Sequence, residues 1–157
     1  MSEYNLDFAE AMARSSGLVL ENSSIPEEAQ RASLYMALVS MEVSLKYLLS
    51  KASISAPKTH DLEKLLMLVS KCTVEDEIAM GTYKRVPASR IQTVTACEKY
   101  SNATLGHLLR TADLGVSRFP NEVRYGHTLK HFPASVMQKA SMQLLSWVRR
   151  YEHTIKG

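Results

Sequence analysis

The chain has 157 residues, 45% of them hydrophobic and 22% charged, with a formal net charge of +3. Those proportions exclude a disordered chain, and the length suits one domain that buries its own core without a staple. The weak positive charge admits an anionic ligand but is not the strongly basic balance of a dedicated nucleic-acid binder. Two cysteines, Cys72 and Cys97, stand far apart with no CxxC spacing. They read as reduced thiols of a cytoplasmic protein. Uninterrupted apolar runs such as Leu65 to Val69 are far short of a membrane span, and the first residues lack a signal-peptide pattern.

In chain order, residues 4–21 read as an extra N-terminal helix, with Asn5 as its cap and Leu6, Ala9 and Ala13 at helical spacing. Ser24-Ile25-Pro26-Glu27 is a capping box with Pro early in the first turn. A long helix is predicted from there to about Ala52. Met36, Val39, Val43 and Tyr47 form one apolar stripe, and further stripes flank it, so this helix is buried on more than one side. Glu42 and Lys46 stand at i,i+4 in the favourable order for an ion pair. Ser53 to Lys58 is a turn. Thr59 or His60 is expected to cap the next helix, whose buried stripe is Leu62, Leu65, Leu66 and Val69.

Residues 73–89 give a short helix start and a basic loop. A third long helix is expected from Ala88 to about Ala112, and a structured loop over residues 117–133. The final helix runs from about Ala134 to His153, with Val136, Ala140, Leu144, Trp147 and Tyr151 on its inner stripe. No segment with strand periodicity competes. The reading is an all-α, antiparallel up-and-down four-helix bundle with an extra N-terminal helix, in one domain with a core of about residues 25–153.

The pattern MEVSLKYLLSKASISAPKTHDLEKLL, followed late by VRY and a last amphipathic helix, resembles the HEPN domain. The matching positions are Glu42, Lys46, Pro57, Thr59, His60, Asp61, Leu62, Arg124 and Tyr125. The resemblance implies binding of a nucleotide or RNA phosphate by Glu42, Lys46, Thr59, His60, Arg124 and Tyr125. It also implies a homodimer, a defence, stress or toxin–antitoxin setting and, as possible partner, a minimal nucleotidyltransferase. Some members are metal-independent ribonucleases with an Arg-x(4–6)-His motif. Here Arg124 and His131 have six residues between them, so that resemblance makes them the catalytic pair of an alternative, enzymatic reading. A non-catalytic interaction bundle is the third reading.

The plainer roles compete with these. Glu42 and Lys46 can be an ordinary ion pair, and His60 an ordinary helix cap. His127 and His131 share a spacing that can hold a metal, but no third ligand accompanies them, so no metal and no cofactor are expected. The sequence has no Gly-rich phosphate loop and no GxSxG motif.

Overall fold

The computed structural model describes residues 4–22, 26–100, 102–110 and 133–157. Ser24, Arg124, Tyr125, His127 and His131 lie outside the described residues. The structure is mostly helical. Helix α1 spans Leu6–Asn22, α2 Pro26–Lys51, α3 Leu62–Ser70, α4 Leu105–Arg110 and α5 Ala134–Tyr151. Between α3 and α4 lie strands β1 (Thr73–Ala79) and β2 (Thr82–Pro87) and a 3-10 helix (Ala88–Thr93).

Helix α2 is the centre. It packs against α1, α5 and α3, and Leu34, Leu38, Met41, Leu45, Leu48 and Leu49 are fully buried. A helix apolar all round needs neighbours on every side, and these three supply them. By length and composition residues Glu27–Lys51 would suffice to cross a membrane. Ser, Glu and Lys interrupt the helix, so no unbroken apolar run in it reaches that length. Most of its apolar window is buried inside the protein, as in a core helix.

Helix α1 is part of this core, through small residues that let two backbones approach. Ser40 Oγ donates to the Ala9 carbonyl at 2.6 Å and Ser16 Oγ to the Ser33 carbonyl at 2.7 Å. Asn5 caps α1 as expected, accepting the Asp7 amide at 2.8 Å. Ser44 Oγ, one turn along α2 from Ser40, is buried without a hydrogen-bond partner among the described residues. Ser44→Ala is therefore expected to leave stability unchanged or raise it by up to about 1 kcal/mol, since it deletes an unsatisfied hydroxyl and favours the helix. Urea unfolding measures this; a loss beyond about 1 kcal/mol would reveal a hidden partner.

Two expectations are corrected between α3 and α4. Residues 73–87 form an antiparallel hairpin, with Val74 opposite Val86 and Asp76 opposite Lys84. Gly81, at φ 75°, makes the reversal, a conformation that favours glycine. The hairpin is pinned from elsewhere: Thr73 exchanges both backbone hydrogen bonds with Lys156, at 2.9 Å each, and the Glu75 amide donates to Thr154 Oγ1. The predicted third long helix is also broken. After the 3-10 turn the chain is extended: the Leu105 amide donates to the Val94 carbonyl, and Thr95 bridges Thr104. The β-branched run Thr93-Val94-Thr95 resists helix and suits this bridge. Among the described residues, helix resumes only at Leu105.

Candidate functional site

The site grows from the α2–α3 connection. Ser53 takes a left-handed φ of 60°, and the Ile54 amide reaches back to the Leu49 carbonyl at 2.9 Å. That closes α2 in the manner of a Schellman cap. The chain then doubles back along α2. Glu42 lies nine residues before the helix end at Lys51, so the return covers roughly 13 Å at helical rise.

His60 ends that return against Glu42. Its Nδ1 lies 2.9 Å from Glu42 Oε1 and 3.0 Å from Oε2. Lys46 Nζ donates to the same Oε1 at 2.8 Å. A carboxylate is acceptor only, so Nδ1 carries the proton that His60 donates. Nε2 is then left on the outer side of a ring that is 61% exposed, with no partner among the described residues. The Glu42 and Lys46 side chains are only 14% and 8% exposed. Lys46 also lies 5.7 Å from the centre of the Tyr4 ring. The cluster is thus an inward ion pair that grips an outward histidine.

Neither Thr59 nor His60 caps α3. Asp61 does, accepting the Lys64 amide at 3.1 Å, because a carboxylate is the better partner for free amides at a helix start. Thr59 Oγ1 accepts the Asp61 amide at 3.1 Å, which stiffens the turn. The structure therefore brings Glu42, Lys46 and His60 into one cluster with Thr59 beside it. Arg124, Tyr125 and His131 are outside the described residues.

Two further polar groupings escaped the sequence. Asp76 of β1 accepts from Arg90 at 3.1 Å, Arg150 at 2.8 Å and the Tyr151 hydroxyl at 3.1 Å, tying the hairpin to α5. Beside it is a cavity of about 350 Å³. A second cavity, of about 280 Å³, is lined by Tyr4, Asp7, Tyr47, Arg149 and Glu152 among others. The Tyr47 hydroxyl donates to Glu152 Oε1 at 3.1 Å. No local motif joins residues this far apart in the chain. Among the described residues no cluster of His, Cys, Asp and Glu has the makings of a metal site.

Burial, and then the hydrogen bond to Asp76, holds the Tyr151 phenol above its ordinary value of 10.0. Burial and Glu152 do the same for Tyr47, and burial alone raises the Cys72 thiol above 9.0. Folding thus favours the protonated form of all three. Their contribution is complete below the unfolded values and is lost as pH rises through the folded ones. Urea unfolding should show stability flat near neutrality, beginning to fall above about pH 9 with Cys72 and falling more steeply above about pH 10 with the two tyrosines. Tyr151→Phe should lower stability at neutral pH by about 1 kcal/mol and flatten that alkaline fall. An equally steep fall in the variant would remove Tyr151 from the account.

These features define a mostly helical domain in which one buried helix and the turn after it hold an acid, a lysine and a histidine together. The family model of the HEPN domain matches residues 20–104, more than half of the chain. The chain belongs to the HEPN domain family. The matched span contains the whole Glu42–Lys46–His60 cluster and also the hairpin, and it ends before Arg124. No curated protein and no solved structure matches the chain.

Proposed function

We propose that this HEPN domain binds a nucleotide or RNA phosphate beside His60. The observation that carries this is the shared carboxylate. Glu42 accepts from Lys46 and His60 at once, which fixes the imidazole and turns Nε2 to solvent. Lys46 then acts by holding Glu42, and direct contact falls to His60. Lys58, exposed two residues earlier, adds positive charge, and family resemblance adds Arg124 with Tyr125 as a stacking ring. When protonated at both nitrogens, His60 donates from Nε2 to a phosphate oxygen while Glu42 offsets the ring charge. In the same reading the chain works as a homodimer in a defence, stress or toxin–antitoxin system.

A nucleoside triphosphate should raise the melting temperature in a salt-dependent way, and His60→Ala should remove most of that rise. A melting curve unmoved by nucleotide would overturn the reading. The spacing of Arg124 and His131 supports a second reading, a metal-independent ribonuclease. RNA cleavage in EDTA that disappears in His131→Ala would put that reading first.

A further inference from the structure

The cavity between the start of α1 and the end of α5 has the chemistry of a base pocket. It is lined by two aromatic residues, Tyr4 and Tyr47, and by Asp7, Arg149 and Glu152. Its volume of about 280 Å³ is at the small end of ligand sites, suited to a nucleoside and not to a larger cofactor. Tyr4 connects it to the polar cluster, because the Lys46 ammonium lies 5.7 Å from the centre of that ring. The cavity and the Glu42–Lys46–His60 group are therefore neighbours. No such link joins the Asp76 cavity to that group among the described residues.

The polar groups narrow the ligand further. The Glu152 side chain is 15% exposed, and its Oε1 accepts from the Tyr47 hydroxyl at 3.1 Å. Its Oε2 has no partner among the described residues. Arg149 uses one terminal nitrogen on Glu10, at 3.1 Å, and on Asp7 of the same cavity, at 3.9 Å, so its other guanidinium donors remain. The two residues stand three apart near the end of one helix and line one cavity. They offer an acceptor beside a fork of donors.

Among the bases, guanine is complementary to that pair. It presents a ring N–H and an amino group next to a carbonyl oxygen, while uracil lacks the amino group and adenine lacks the ring N–H and the carbonyl. We infer that this cavity binds a guanine base, an assignment that rests on the nucleotide reading above and names its ligand. In this arrangement Glu152 accepts from the ring N–H and amino group, Arg149 donates to the carbonyl oxygen, and Tyr4 or Tyr47 stacks on the ring. The phosphate of such a nucleotide extends past Tyr4 toward the Glu42–Lys46–His60 group, where His60 makes the contact.

Isothermal titration of the full chain with guanosine, adenosine and inorganic tripolyphosphate tests it. Guanosine should bind about tenfold more tightly than adenosine, the discrimination expected of one well-placed pair of contacts. Glu152→Gln keeps an acceptor for Tyr47 and should erase that preference. Tyr4→Ala should weaken both nucleosides by about tenfold through lost stacking. Each variant is checked by its melting temperature, so that loss of binding is read on folded protein. Equal affinity for the two nucleosides, or a preference that survives Glu152→Gln, overturns the inference. Tripolyphosphate binding without guanosine binding overturns the base cavity and leaves the phosphate reading standing. Guanosine binding without tripolyphosphate binding supports the cavity and removes the phosphate contact.

Discussion

Glu42→Ala should lower stability by about 4 kcal/mol, the cost of leaving a buried partner charge uncompensated. The charge at issue is Lys46, whose side chain is 8% exposed and whose ammonium donates to Glu42 at 2.8 Å. His60 adds little to this loss, because a ring 61% exposed is rehydrated when it is released. The double variant Glu42→Leu/Lys46→Met should recover most of the stability, since two apolar side chains fill the space without a desolvated charge. The same double variant should fail to bind nucleotide, because His60 loses the carboxylate that orients it. Urea unfolding at neutral pH measures the first effect and a nucleotide melting series the second. A loss below about 1 kcal/mol for Glu42→Ala would mean that the pair behaves like a surface ion pair.

Asp76→Ala should lower stability by about 2 kcal/mol. Most of this comes from Tyr151, 6% exposed, whose hydroxyl loses its acceptor at 3.1 Å. Arg90 and Arg150 are 61% and 63% exposed at their side chains, so water replaces Asp76 for them at small cost. Asp76→Asn keeps an oxygen for Tyr151 and should lose less than half as much. If asparagine is as damaging as alanine, the two arginines carry the hub instead of the tyrosine. Protection of the hairpin amides from hydrogen exchange should fall in step, since Asp76 is a side-chain tie from β1 to α5.

Much of the helical framework was legible from local signals. Apolar periodicity placed the helices that proved to span Pro26–Lys51, Leu62–Ser70 and Ala134–Tyr151. Asn5 announced the start of α1, and the i,i+4 spacing of Glu42 and Lys46 announced their ion pair. Each of these depends on residues within about one helical turn of each other, so sequence distance and physical distance agree. The hairpin was different. Only Val74 and Val86 of its strands face the core, too few to make an alternation against Glu75-Asp76-Glu77 and Lys84-Arg85.

What holds β1 as a strand comes from the far end of the described chain, where Thr154 and Lys156 meet Glu75 and Thr73. The same distance in sequence hid both cavities and the Asp76 hub, whose partners lie up to 75 residues away. For the candidate site the boundary falls between two bonds to one carboxylate. The sequence by itself determined the Glu42–Lys46 pair, because one helix turn brings those residues together. Only the tertiary structure decided that His60 completes it and leaves the cap to Asp61, because that depends on how the α2–α3 connection folds back along α2.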